Sequence, residues 1–251
     1  MEILACIKRV PITGSQLILT ADGQSLQTDS LGYGISPHEE NAVEAGVQLT
    51  EQLGGQLTLL TLGPTDAEEQ LRASLAVGAA RAILLETDGQ DWDPQATANA
   101  LVEAIKAEAV KFDLIIFGAE SADSAGYQIH IRVAHALGMP IITNVKAMKV
   151  EAGKVRGERV VGTHREVYEA PLPAIITVRD GLNVPRYPSV PGRMQARKKP
   201  VDIKAAGGSA PKLEKLKLTV VPSKATGAEI LGNGPDAVPA LVEKFKVMGV
   251  I

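Results

Sequence analysis

Four short, mostly apolar runs, Ile3–Ile7, Leu57–Leu62, Ala82–Leu85 and Leu114–Phe117, set the main constraint on this chain. Each is too short for a helix and lacks the in–out alternation of a half-exposed strand, so each reads as a strand buried on both faces. Between them lie stretches with helical periodicity. Val43, Gly46, Val47 and Leu53 fall on one helical face, with Glu39, Glu40, Glu44 and Glu51 mostly elsewhere; a helix opening after Gly63-Pro64-Thr65-Asp66 runs to Val77; Ala98, Leu101, Val102, Ile105 and Ala109 form a third stripe behind the cap Asp93-Pro94; a fourth helix lies near Tyr127–Leu137. Strand and helix alternating over the first 140 or so residues predict an α/β fold, a Rossmann-like, doubly wound and mostly parallel sheet with helices on both faces.

Past that core the pattern changes. Met139–Val150, Val155–Val161 and Ala174–Val178 read as further strands, the first two as a hairpin over Gly153. A short edge strand is expected over Gln16–Leu19. From Asn183 to Pro191 the prolines Pro185, Pro188 and Pro191 oppose a central strand or long helix, so the segment from Asn183 to Pro200 is expected to be a stiff exposed loop. Ala206-Gly207-Gly208-Ser209 reads as a flexible linker, and Val238, Leu241, Val242 and Phe245 give the C-terminal stretch a one-sided apolar stripe. The expected division is a nucleotide-binding core over 1–182, a partner-recognition loop and basic segment over 183–205, and a linker with a C-terminal arm over 206–251.

Charge narrows the function classes. The net charge is −3, yet nine Lys or Arg between Arg186 and Lys217 face two acids, a local excess that suits an acidic partner surface. Aromatics make up 3% of the chain, a poor base-stacking platform, so a nucleic-acid binder ranks third among the readings. The lone Cys6 excludes an internal disulfide and fits a reducing compartment. No run is apolar and long enough to cross a bilayer, and Met1 leads almost directly into a strand, so no direct membrane insertion and no secretory or transit segment is expected.

Chemistry in such sheets gathers at the carboxyl ends of the strands. Here those ends are Cys6 to Lys8, Leu62-Gly63-Pro64 and the small-residue loop Gly118 to Ile129, whose backbone suits close approach by a phosphate. Neither nucleotide fingerprint is complete: the phosphate-loop glycine–lysine motif is missing, and Gly32-x-Gly34 meets Pro37 where a third glycine belongs. His38, His130, His135 and His164 lack zinc spacing and read as structural; Cys6 reads as core; Glu120 and Asp123 are a candidate acid pair, though a helix-start role requires no special assumption; Arg165-Glu166 reads as a surface ion pair. No triad or metal cluster is expected, so this is not a self-contained enzyme.

Motifs spread along the chain resemble the β subunit of electron-transfer flavoproteins. They are Ala5-x-x-Lys8-Arg9-Val10, Ser36-Pro37-x-x-Glu40-x-Ala42-Val43-Glu44, Gly63-Pro64, Ala76-x-Gly78-Ala79-x-Arg81, Asp113 to Gly118 with Asp123 and Gln128, Arg165-Glu166, and Asn183-x-Pro-Arg-Tyr followed by Val190-Pro191, Met194 and Lys198-Lys199-Pro200. The resemblance implies a heterodimer with an α subunit that holds the working FAD, an AMP in this subunit, flavin dehydrogenases of acyl-CoA type as electron donors in fatty acid β-oxidation, a quinone reductase as acceptor, and a cytoplasmic location, or a mitochondrial matrix one had a transit peptide been removed. Carried over by position, Cys6, Ser36, Pro37, His38, Glu39, Leu62, Gly118, Asp123, Ser124, Ala125, Gly126, Tyr127, Gln128 and Ile129 would line the nucleotide pocket. Thr13 and Glu166 would lie near the partner's flavin. Tyr187, Val190, Pro191, Arg193, Met194, Arg197, Lys198 and Lys199 would dock dehydrogenases, with Val190 where the family usually has leucine. One methylene is worth ~0.8 kcal/mol of burial, so a weaker anchor is expected. Ser36 stands in place of the usual asparagine, and Ala119, Ser124, Ala125 and Tyr127 also depart from the common types. One alternative is therefore a bifurcating relative with a second FAD in place of AMP; a rival of another class is a stand-alone adenine-nucleotide-binding module, which shares the alternating core but needs no basic loop or terminal arm.

Overall fold

A computed structural model describes residues 1–14, 17–208, 210–220 and 227–251. The four apolar runs become β1 (Glu2–Cys6), β4 (Gln56–Gly63), β5 (Arg81–Glu86) and β6 (Leu114–Gly118), and Ala174–Val178 is fully buried as β11. Together with β7 (Ile141–Val145) and β12 (Val201–Ala205) they form one seven-stranded sheet, ordered β12-β5-β4-β1-β6-β11-β7, in which every pairing is parallel.

Helices cover both faces, and the two-residue period of the strands divides the core accordingly. Ile3, Ala5, Leu59, Leu84 and Ile116 pack under α1 (Pro37–Leu53) and α2 (Glu68–Val77). Leu4, Cys6, Leu60, Ile83, Ile115 and Phe117 pack under α3 (Pro94–Ala107) and α4 (Ile129–Leu137). Asp93 caps α3 as expected, accepting the N–H groups of Gln95 and Ala96 at 2.7 and 2.9 Å. The chain winds from β1 outward through β4 to β5, then returns to place β6 on the other side of β1. That reversal is the switch point where a doubly wound sheet opens a crevice.

Several expectations give way. The core continues beyond Leu182, because β12 pairs with β5 from Val201↔Ala82 to Ala205↔Glu86, and Ala206 extends the contact by donating to the Glu86 carbonyl. Met139–Val150 is two strands, β7 and β8 (Ala147–Glu151). The hairpin over Gly153 joins β8 to β9 (Lys154–Val161), and a further strand, β10 (His164–Pro171), completes a separate antiparallel sheet. Leu53, expected on the apolar face of α1, is exposed, whereas Glu39 and Glu44, expected mostly off that face, are buried. Of the expected edge strand, Gln16 lies outside the described residues and Leu19 makes a single bridge to Leu26; β2 (Val10–Pro11) and β3 (Tyr33–Gly34) pair nearby. Ser209 of the expected linker also lies outside the described residues.

The chain divides into two compact units, Met1–Lys217 and Leu218–Ile251. In the second, α6 (Val238–Val247) buries none of its residues and leaves Val238, Leu241, Val242 and Phe245 exposed. Among the described residues no helix is long and apolar enough to cross a membrane.

Candidate functional site: a crevice at the switch point and a projecting helix

The carboxyl ends of β1 and β6 meet the start of α1. Ser36 sits at the helix cap with Pro37 in the first turn, where a missing N–H costs nothing. The Ser36 N–H donates to Glu39 Oε2 at 2.9 Å, and its hydroxyl accepts the Ala122 N–H at 2.9 Å. His38 Nε2 lies 3.2 Å from Glu120 Oε1, while its Nδ1 accepts the Asp180 N–H at 3.1 Å. Lys8, just past β1, pairs with Asp123 at 2.5 Å. Three contacts thus tie the loop after β6 to α1 and to β1. Glu120 and Asp123 are not an acid pair; each has its own cationic or imidazole partner.

Gly118 is required for this closure. A Cβ there would stand 2.8 Å from Glu39 Cγ and 3.0 Å from Glu39 N, so only glycine lets α1 start this close to β6. Beyond it the loop becomes exposed. Ala125 and Tyr127 have positive φ, 44° and 51°, while Gly126 between them does not, and a Cβ on Gly126 would meet nothing within 4 Å. Backbone of alternating hand is the geometry of an anion-binding nest, and left-handed non-glycine residues are a strain retained mostly at functional sites. Ser121 and Ser124 share a hydrogen bond at 2.8 Å. Gln128 precedes Ile129, the first residue of α4, whose opening N–H groups face out of the helix end. Leu62 lies at the same sheet edge, half-buried at the end of β4.

The electrostatics are those of a buried wall beside a polar loop. Burial pushes the Glu39 carboxyl up to about 8. Burial, helped by Glu39, raises the Cys6 thiol well beyond its usual range, so it is a core residue and not a nucleophile. Burial would raise the Asp123 carboxyl, but the Lys8 ammonium outweighs it and holds it below the usual range. His130 is buried and lowered to about 4 by desolvation, a structural imidazole.

The second region is the segment after β11. It is not the continuous loop expected: Val190–Ala196 forms α5, with the Ser189 hydroxyl accepting the Gly192 N–H at 3.1 Å and Pro191 in the first turn. Tyr187 is 95% exposed, Val190 73% and Met194 66%, and Pro191, Arg193, Arg197 and Lys198 are also exposed. Lys199 differs. Its ammonium donates to the carbonyls of Leu75 and Ala79 at 2.9 and 2.6 Å, capping α2 rather than facing outward. Arg186 is likewise engaged, its guanidinium spanning Glu44 and Glu51.

Thr13 is exposed in the loop after β2, and Glu166 lies on β10. Arg165 and Glu166 do not pair with each other. As neighbours on a strand they point to opposite faces; Arg165 reaches Glu158 at 3.3 Å and Glu166 reaches Arg159 at 2.7 Å. Sequence reasoning missed Asn41, Glu44, Asp180 and Arg72 as organising residues. The available signal was a run of polar residues, His38, Asn41 and Glu44, three apart on a helix that is otherwise apolar where it meets the core.

Comparison with known proteins gives a consistent result. Residues 25–207 match the family model for the electron transfer flavoprotein domain. The chain is 32% identical over 255 residues to the electron transfer flavoprotein subunit beta of Bacillus subtilis, covering 98% of each. It is 35% identical over 231 residues to the subunit beta of Syntrophomonas wolfei, covering 92% of this chain and 90% of the relative. It is also 32% identical, over the full length of both chains, to the caffeyl-CoA reductase-Etf complex subunit CarD of Acetobacterium woodii. These matches place the chain in the electron transfer flavoprotein family, among its β subunits.

Proposed function

We propose that this chain is the β half of a two-chain electron carrier whose α subunit holds FAD. Electrons arrive from flavin dehydrogenases of acyl-CoA type and leave to a quinone reductase. The flavin supplies the redox chemistry. This chain supplies the docking tip on α5 and a structural nucleotide site, and no side chain of it acts as acid, base or nucleophile.

The observation that carries the nucleotide reading is the loop from Gly118 to Ile129. Its left-handed Ala125 and Tyr127, the open space at Gly126 and the start of α4 fit a phosphate group, with Ser121 and Ser124 hydroxyls beside it. AMP is the nucleotide proposed. A second reading, FAD in the same crevice of a bifurcating carrier, is favoured by the similarity to a subunit named for a caffeyl-CoA reductase-Etf complex.

Denaturing the purified complex and identifying the released nucleotides separates the two. One FAD and one AMP per heterodimer supports the simple carrier; two FAD establishes the second reading; one FAD with no second nucleotide contradicts both assignments of the crevice.

A further inference from the structure

Helix α1 joins the two regions. Three backbone N–H groups of the segment that leads to the docking tip donate to three α1 side chains: Asp180 to His38 Nδ1 at 3.1 Å, Asn183 to Asn41 Oδ1 at 3.2 Å, and Arg186 to Glu44 Oε2 at 3.2 Å. Donors and acceptors both recur every third residue. The helix advances about 4.5 Å in that interval, and the left-handed turn at Gly181, with φ 82°, shortens the chain so that it keeps step. All three acceptors are buried. The Asn183 amide and the Arg186 guanidinium reinforce the row, donating to the Asn41 carbonyl and to Glu44 and Glu51. The segment is thus held along much of α1 before it projects Tyr187 and Val190.

The first residue of that row also belongs to the crevice. His38 accepts at Nδ1, so its proton sits on Nε2 and faces Glu120 in the loop after β6. Both nitrogens belong to one rigid ring. A movement of Glu120 that turns the imidazole therefore moves the acceptor away from the Asp180 N–H. Ser36, two residues earlier, ties the same loop to the same helix end through Ala122.

We propose that occupancy of the crevice is transmitted through α1 to the docking segment, with His38 as the positioning residue that links the loop at Glu120 to the segment at Asp180. The inference rests on the nucleotide reading above. Coupling free energies of this kind correspond to roughly 5–150-fold changes in an equilibrium, and it is reciprocal, so a docked partner tightens the nucleotide by the same factor.

Hydrogen exchange on the complex with its α subunit, stripped of nucleotide and then measured with and without AMP, tests this. AMP is expected to slow exchange across the loop 119–129 and, by roughly fivefold or more, at the amides of Asp180, Asn183 and Arg186. His38→Asn retains an acceptor near the Nδ1 position but does not reach Glu120. At AMP concentrations that protect 119–129 in that variant, the response at 180–186 is lost. AMP that protects 119–129 in the unaltered complex and leaves 180–186 unchanged overturns the coupling while the nucleotide reading stands. A full response in His38→Asn overturns the role of His38. AMP that protects neither segment contradicts the nucleotide reading and the coupling with it.

Discussion

Arg72 and Lys199 cap each other's helices. The Lys199 ammonium donates to carbonyls at the end of α2, and Arg72, carried on α2, donates to the Ala196 and Lys199 carbonyls at the end of α5, at 2.7 and 2.6 Å. Carbonyls at a helix end lack internal partners and carry partial negative charge, so a basic side chain satisfies both needs. The exchange fixes α5 against α2 and keeps its outer face free. Arg72→Ala is expected to cost about 1.5–3 kcal/mol, the usual worth of hydrogen bonds to a charged group. Urea unfolding checks it: the midpoint falls while the slope stays constant.

The exposed tip of α5 should matter to partners and hardly at all to the fold. Val190→Ala removes two methyl groups that touch little in the chain, so the unfolding midpoint is unchanged. At ~0.8 kcal/mol per carbon, it weakens docking by roughly tenfold, read as a raised KM of a flavin dehydrogenase for the carrier. Val190→Leu moves the KM the other way. A KM indifferent to both substitutions removes Val190 from the docking surface.

Two glycines of the crevice loop make opposite predictions. Gly118→Ala drives a methyl into Glu39 and the backbone of α1, a strain of about 1–3 kcal/mol. Gly126→Ala points into open space and leaves stability within about 0.5 kcal/mol. Thermal unfolding of the two variants side by side distinguishes them.

Glu39 makes stability depend on pH. Burial raises its carboxyl from the unperturbed 4.5 to about 8 in the fold, so between these values the folded chain binds more protons than the unfolded one. Its contribution is therefore fully present below about pH 4.5 and is lost as pH rises through 8. Glu39→Gln keeps an acceptor for the Ser36 N–H and removes the charge. The melting temperature of the variant should fall less between pH 5 and 8 than that of the unaltered chain; parallel profiles would show that Glu39 does not titrate in this range.

What was legible in the sequence follows from where each residue's environment is set. β1, β4, β6 and β11 are buried on both faces, and short runs of apolar residues and threonine declare that locally. β12 and β10 carry charges on exposed faces, Asp202 and Lys204 in one and Arg165, Glu166 and Glu169 in the other, so they read as solvated connectors until a neighbouring strand is present. α5 was hidden by its prolines. Pro191 falls in the first turn, the one helical position that tolerates it, and Ser189 supplies the cap. The crevice loop was visible as small residues after a strand, but the partners that shape it, Ser36 with Ala122 and Lys8 with Asp123, are 86 and 115 residues apart, a separation no local pattern reports. Lys199 belonged to a basic run in the sequence, and only the tertiary contact with α2 turned it inward.

Co-expression of this chain with a family α subunit, followed by affinity purification and an absorption spectrum, tests the central claim most directly. The account predicts a yellow complex of one copy of each chain, with flavin bands that disappear on reduction. A colourless chain that purifies alone, with the α subunit left unbound, would contradict it.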